Sequence, residues 1–254
     1  MKRIVVKVGS AVLTQDGTIA LERMQALVDF LAQLQEKYEV ILVSSGAVAG
    51  GYTKLQLDRT ILANKQALAA IGQPVLMRKY AKKFAKYDIL TAQVLVTAAN
   101  LNKADDIQRV KNTVETLLKN KVIPIVNEND ATATDELEVG DNDQLSAYIT
   151  QHLNADMLII LSDIDAYYDK DPRKHADATR LKVVCEITDD ELTKEVTPNN
   201  IFATGGIVTK LKAASYLLNN QKDMFLASGF DLGDVKSYML DGIHKGGTLF
   251  SHKC

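Results

Sequence analysis

RIVVKVGS, Arg3 to Ser10, is the stretch on which the fold turns. Ile4, Val5, Val6 and Val8 put apolar side chains on both faces of an extended chain. A strand with one wet face alternates apolar and polar residues. A near-continuous apolar strand is covered on both faces, as in parallel α/β sheets. Lys7 is the interruption. Alternation puts it on the face of Val5, near the end of a strand that should be central. A lysine there can snorkel out of the strand end, or it can meet an anion. Gly9 and Ser10, which follow, permit a tight turn whose amides, with the next helix start, can cradle phosphate.

The rest of the chain repeats this unit. Leu21, Met24, Leu27, Val28, Leu31 and Leu34 recur at helical spacing, and EVILVS (Glu39 to Ser44) is the next strand. Helical pattern covers Ile61 to Phe84. ILTAQVLV (Ile89 to Val96) is a strand, Asp105 to Lys119 a helix, VIPIVN (Val122 to Asn127) and DMLIIL (Asp156 to Leu161) are strands. A short strand near Lys182 to Cys185, a helix from Ile207 to Leu218, and strands DMFLAS (Asp223 to Ser228) and GTLFS (Gly247 to Ser251) complete the pass. The expectation is an α/β three-layer sandwich, a mostly parallel central sheet covered by helices on both faces. In such sheets ligands bind beyond the carboxyl ends of strands. There the sequence places Lys7 to Ser10, Ser44 to Gly46, Asn127 to Asp130 and Ser162-Asp163.

Composition narrows the function. The 254 residues carry a formal charge of −2, which gives no general attraction to nucleic acid or anionic membrane. No run approaches the ~20 apolar residues that span a bilayer, and no signal peptide precedes the first strand. Cys185 and Cys254 are far apart with no histidine cluster, so no disulfide framework or zinc site is expected, and a cytoplasmic protein fits. With no linker-like tract, residues 1–254 read as a single domain. P-loop, dinucleotide-binding and protein-kinase motifs are all missing.

Two more stretches carry chemistry. PIVNENDATATDELEVGDNDQLSA, Pro124 to Ala147, runs from strand to helix through seven acidic residues and no basic one. Asp141, Asn142 and Asp143 lie at the start of a helix whose core face reads Leu145, Tyr148, Ile149 and His152/Leu153. Capping needs only one such residue. In ATGGIVTKLKAA, Ala203 to Ala214, Lys210 falls in a helix's first turn, where the macrodipole disfavours a cation. A bound anion would compensate. VSSGAVAGG, Val43 to Gly51, is a small-residue turn that fits close packing or close approach to a ligand. Two lysines, Gly-rich turns and carboxylates that orient them match what phosphoryl transfer asks of a protein.

Together VVKVGSAVLT, LVSSGAVAGG, NKQALAAIGQ, PIVNENDATAT, VGDNDQLSA, LSDIDAYYDKDPR and TGGIVTKLKAA resemble the amino acid kinase family, along nearly the whole chain. The NEND and GDND pair with TGG-x-x-TK is similar to the branch that phosphorylates glutamate. The resemblance implies transfer from ATP to the γ-carboxylate of L-glutamate, the first step of proline biosynthesis. Lys7 and Lys210 would neutralise the moving phosphoryl group, with Asp143 orienting them. Ser45, Asp130 and Asn142 would bind glutamate, Asp130 facing its α-ammonium. Gly9, Ser10 and Gly46 would give amides to phosphate. Ser162, Asp163, Thr204, Gly205, Gly206, Ile207, Val208, Thr209 and Lys210 would line the nucleotide site. Mg²⁺ would arrive with ATP, without protein metal ligands. Family members often carry threonine at the Ser162 position; the hydroxyl is kept. The resemblance also implies a homo-oligomer, proline as a feedback inhibitor acting through segment 131–140, and the short form without the C-terminal PUA domain, since Cys254 closely follows the last strand. A kinase for another small acceptor and a non-catalytic nucleotide or amino-acid sensor remain the competing readings. The presence of Lys7, Lys210 and Asp143 argues against the sensor.

Overall fold

The computed structural model describes residues 1–101, 103–132, 142–193 and 206–253. In chain order the elements are β1 (Lys2–Val8), α1 (Ser10–Leu13), β2 (Thr14–Gln15), β3 (Thr18–Ile19), α2 (Leu21–Gln35), β4 (Tyr38–Ser44), α3 (Ala47–Tyr52) and α4 (Leu62–Phe84). Then come β5 (Thr91–Val96), α5 (Ala98–Leu101), α6 (Ala104–Lys119), β6 (Ile123–Glu128), α7 (Asn142–His152), β7 (Met157–Ser162) and β8 (Val183–Val184). The last are α8 (Asp189–Thr193), α9 (Ile207–Asn219), β9 (Asp223–Ser228), α10 (Gly233–Asp241) and β10 (Thr248–Phe250).

Eight strands form one sheet in the order β5-β6-β4-β1-β7-β9-β10-β8. The pairs from β5 to β9 are parallel, and β10 runs antiparallel to β9. From β1 the chain lays down β4 beside it, then the edge strand β5, then β6 between β4 and β5, all on one side. It then crosses to the other side with β7. That reversal of winding beside β1 opens a crevice at the strands' carboxyl ends.

Alternation along β1 divides the core into two layers. Ile4, Val6 and Val8 pack with α2, α4 and α10 through Leu31, Tyr80 and Val235. Val5 packs on the opposite face with α6, α7 and α9 through Val114, Ile149 and Ala214. Lys7, two residues on from Val5, therefore rises toward the α7 and α9 layer, as alternation required.

Helix α3 lies on α4 at backbone distance. A Cβ on Gly72 would stand 1.8 Å from the Ala47 oxygen, and one on Gly51 would stand 1.9 Å from that of Leu68. Only hydrogen fits at either place. This contact presses the β4–α3 turn against the middle of α4.

Several local expectations change. Strand β5 starts at Thr91 rather than Ile89. Helix α7 buries Asp143, Leu145, Ser146, Ala147, Ile149 and Thr150, while Tyr148 and His152 are half-buried at the side. Leu145, Ile149 and Leu153 are buried as expected, and small residues rather than Tyr148 and His152 complete that face. The β2–β3 hairpin was not anticipated, although its Asp16-Gly17 turn, with φ of 50° and 73°, is the usual signal for a two-residue hairpin loop.

Candidate active site

Four adjacent parallel strands bring their carboxyl ends to one edge. Lys7 is level with Val43 of β4 and Ile160 of β7, and Val43 is level with Val126 of β6. One step further along come Val8, Ser44, Leu161 and Asn127. The residues that end these strands are thus neighbours because the register makes them so. Helix α7 packs over β1 and starts at this edge.

The charge expected of Lys7, Asp143 and Lys210 converges on one carboxylate. Lys7 Nζ bonds Asp143 Oδ1. Lys210 Nζ lies 3.1 Å from Asp143 Oδ2. The side chains are 6%, 5% and 0% exposed for Lys7, Lys210 and Asp143, so water does not screen the cluster. Burial pushes the Asp143 carboxyl up, but Lys7 and Lys210 outweigh it, with hydrogen bonds from Lys7 and Thr209. The carboxyl is held below the ordinary carboxylate range. Two ammonium groups thus meet on one carboxylate in a poorly hydrated place. Buried charges of this kind persist only when paired and hydrogen-bonded.

Thr209, expected to line the nucleotide site, is part of this cluster. Its hydroxyl lies 2.9 Å from Asp143 Oδ2 and 2.9 Å from the Gly206 carbonyl, sharing one proton between them. Lys210 Nζ also reaches the Gly206 carbonyl at 3.4 Å. In the TGG-x-x-TK pattern one turn of α9 thus supplies both a cation and the hydroxyl that anchors its partner. The buried side of α9 runs through Lys210, Leu211, Ala213, Ala214 and Leu217, with Leu218 half-buried and Lys212 exposed.

Ser45 and Asn142 are in direct contact: Asn142 Nδ2 donates to Ser45 Oγ at 2.7 Å. The same Nδ2 lies 3.1 Å from Asn127 Oδ1. Asn142 Oδ1 is buried and has no hydrogen-bond partner, an acceptor left for a ligand's donor. Asp130 lines a cavity of about 150 Å³ with Gln73, Pro74, Gln93, Glu128 and Asn129. Burial raises its carboxyl to about 6. Pro74 has no N–H to give the Ala70 carbonyl one helical turn earlier, so that cavity-wall oxygen lacks its usual helical donor. A mostly buried carboxylate on the wall of a small cavity suits an ammonium group.

On the phosphate side the glycines act differently from one another. The Gly9 amide, expected to face phosphate, instead donates to the Leu161 carbonyl at 3.0 Å and extends the β1–β7 ladder. A Cβ there would meet the Leu161 oxygen at 3.6 Å and Lys7 Nζ at 4.0 Å, both ordinary contact distances. Gly46 has φ +105°, a left-handed conformation that starts α3 and that glycine adopts without strain. Ser10 opens α1. Ser162 ends β7, buried, with its hydroxyl 3.0 Å from Asp163 Oδ1. Gly206, Ile207 and Val208 form the start of α9. Thr204 and Gly205 lie outside the described residues, as do Asp141 and most of segment 131–140. Among the described residues no three Asp, Glu, His or Cys side chains converge as a metal site, and no helix is long and apolar enough to cross a membrane.

The sequence profile of the amino acid kinase family matches residues 2–228. The chain is 53% identical over 250 residues to a glutamate 5-kinase of Leishmania donovani, covering 98% of this chain and 95% of that protein. It is 52% identical over 255 residues to a glutamate 5-kinase of Wolinella succinogenes, covering 98% of each. The fold superposes on an isopentenyl phosphate kinase of T. acidophilum with a TM-score of 0.67 at 14% identity, over 98% of this chain and 100% of that one.

Proposed function

The chain belongs to the amino acid kinase family, in its glutamate 5-kinase branch, and from that premise we propose how its residues carry out the reaction. It phosphorylates the γ-carboxylate of L-glutamate with ATP in proline biosynthesis, residues 1–254 acting as one kinase domain. The observation that carries the site assignment is the buried Lys7–Asp143–Lys210 cluster, two ammonium groups held by one carboxylate at the strand ends. An ATP-dependent kinase brings these lysines an anion, the phosphoryl group in transit.

The nucleophile is a carboxylate, already ionised at neutral pH because its ordinary value is about 4.3. No general base is needed, which fits a site assembled without histidine. A γ-carboxylate oxygen bonds the γ-phosphorus as the bond from that phosphorus to the β,γ-bridging oxygen breaks. ADP leaves with the electron pair, and γ-glutamyl phosphate forms. The obstacle is electrostatic, because one anion must approach another. Lys7 and Lys210 offset the charge on the transferring group, and Asp143 with Thr209 holds both ammonium groups in place before substrate arrives. Asp130, the Asn142 carbonyl oxygen and Ser45 orient glutamate, with Asp130 on the α-ammonium. Ser10, Gly46, Ser162, Asp163 and the segment Thr204 to Val208 hold the nucleotide.

Mg²⁺ would arrive as an ion carried on the polyphosphate, where it would shield the phosphate oxygens as they meet the lysines. The same reading takes in cytoplasmic location, homo-oligomeric assembly and proline as a feedback ligand. Inhibition titrations and mass measurement test the last two.

The test of the reaction is ADP release from purified protein with Mg-ATP and L-glutamate, N-acetyl-glutamate or L-aspartate, with hydroxylamine trapping acyl phosphate. Hydroxamate formed with L-glutamate alone is the expected result. Turnover with a different acceptor would overturn the assignment of Asp130. No turnover with any acceptor would overturn the kinase reading itself.

A further inference from the structure

A line of side-chain amides links the cavity wall to Asn142. Gln73 Nε2 donates to Gln93 Oε1 at 3.1 Å. Asn127 Nδ2 donates to Gln73 Oε1 at 3.0 Å. Asn142 Nδ2 donates to Asn127 Oδ1 at 3.1 Å. Four elements contribute one amide each: β5, α4, β6 and α7. Gln73 and Asn127 are 7% and 1% exposed, so water does not substitute for a missing partner.

The direction of this line is fixed at one point. Asn127 Oδ1 also accepts the Glu128 backbone N–H at 2.9 Å. A backbone N–H can only donate, so Asn127 must present oxygen there and nitrogen toward Gln73. Gln73 must then present its oxygen to Asn127 and its nitrogen to Gln93. On the other side Asn142 must present nitrogen to Asn127, which leaves its oxygen as the buried acceptor without a partner. The amide line therefore decides that Asn142 offers substrate an acceptor and not a donor. It holds only while Asn127 is satisfied at both ends. Gln73 is the group that satisfies the far end, and it also lines the cavity that contains Asp130.

We infer that Gln73 is a positioning residue for the amino-acid substrate, holding Asn127 so that Asn142 presents its oxygen to the ammonium end of glutamate. The inference rests on the function proposed above. Without Gln73, Asn127 keeps a buried N–H with no acceptor and relieves it by turning, and Asn142 follows. Gln73 itself shares no described contact with Lys7, Lys210 or Asp143, so the nucleotide side keeps its geometry.

The experiment is steady-state kinetics with hydroxamate trapping on wild type, Gln73→Met, Gln73→Glu and Gln93→Leu, with thermal unfolding of each. Methionine fills the space without an acceptor. Glutamate keeps an oxygen for Asn127 Nδ2 and is the rescuing variant. Gln93 is exposed and its loss spares the fold. Gln73→Met should raise the glutamate KM about tenfold or more, the effect of leaving one buried donor unmet. The ATP KM should stay within about twofold in that variant, as expected for a group remote from the cluster. Gln73→Glu should restore glutamate KM to within about threefold of wild type, and Gln93→Leu should fall between. A rise in both KM values together in Gln73→Met, or no rise in either, would overturn the inference with the proposed reaction intact. Failure of Gln73→Glu to restore glutamate KM would also overturn it. If Gln73→Met does not fold, unchanged KM values in Gln93→Leu decide against it. Absence of glutamate-dependent turnover in wild type would overturn the function and this inference together.

Discussion

Replacing Asp143 by asparagine tests the centre of the mechanism. The change keeps shape and removes one negative charge from between two buried ammonium groups. Asp143 Oδ2 lies 3.1 Å from Lys210 Nζ, where Coulomb attraction at an effective dielectric constant near 20 is roughly 5 kcal/mol. Lys7 adds a contact of the same kind at Oδ1. Desolvation offsets much of this gross attraction. What mutation exposes is the penalty for a buried charge left unpaired, about 3–5 kcal/mol. Asparagine can accept from one lysine through its oxygen but turns N–H toward the other. For a chain of this size about 1 kcal/mol moves Tm by roughly 2–4 °C, so the expected drop is roughly 6–20 °C. kcat should fall by about 10²–10³, as when a preorganised charge-stabilising group is lost. Mg-ATP brings negative charge back to the lysines, so it should raise Tm more in Asp143→Asn than in wild type. The pH dependence has a defined sign. Asp143 is held below its ordinary value, so its contribution is fully present above about pH 4, the unfolded value, and fades as pH falls through the folded one. The Tm gap between the two proteins should therefore stay constant from pH 8 to pH 5 and narrow only in stronger acid. Thermal unfolding with steady-state kinetics checks all of this. A Tm within about 2 °C of wild type together with kcat within about tenfold would refute the reasoning, since neither effect would approach those magnitudes.

Three further outcomes follow from other parts of the structure. Asp130 is raised to about 6 by burial, so glutamate KM should climb as pH falls below about 6 while ATP KM stays flat; a flat glutamate profile down to pH 5 would remove Asp130 from the ammonium site. The raised value also means that its ionisation costs stability as pH rises through that range. Asp130→Asn should thus lose glutamate binding yet unfold at a higher temperature than wild type at pH 7.5, with the gap closing below pH 4. Gly72→Ala would place a Cβ 1.8 Å from the Ala47 carbonyl oxygen. Helices α3 and α4 would have to part, with a loss of about 1–3 kcal/mol for overpacking and a weaker glutamate site, because the β4–α3 turn carries Ser45; unchanged Tm and glutamate KM would show that the contact does not set the turn.

Much of the site was legible before the fold was. Lys7 was marked by its position in an apolar strand, and Lys210 by standing at the wrong end of a helix for its charge. Asp143 was marked by an excess of acid over what a cap requires. Each is a local misfit that a ligand relieves, and local misfit is visible in sequence. Gln73 and Thr209 were not marked for the parts they play. A glutamine inside an amphipathic helix and a threonine beside a lysine fit their surroundings and raise no local conflict.

The sequence by itself determined the alternation of two-face-apolar strands with amphipathic helices, the three-layer sandwich that this implies, and the strand ends at which chemistry should gather. It did so because burial period and strand propensity are properties of neighbouring residues. Only the tertiary structure decided the pairing order of strands and the register that sets Asn127 beside Ser44. It also decided that Asp143 receives both lysines, that the Gly9 amide is spent on Leu161, and that one amide line fixes the orientation of Asn142. Those outcomes depend on contacts between residues far apart in the chain, such as Lys7 with Asp143, separated by 136 positions, and Gly9 with Leu161. Such contacts exist only when parallel crossovers have brought the strand ends to one edge.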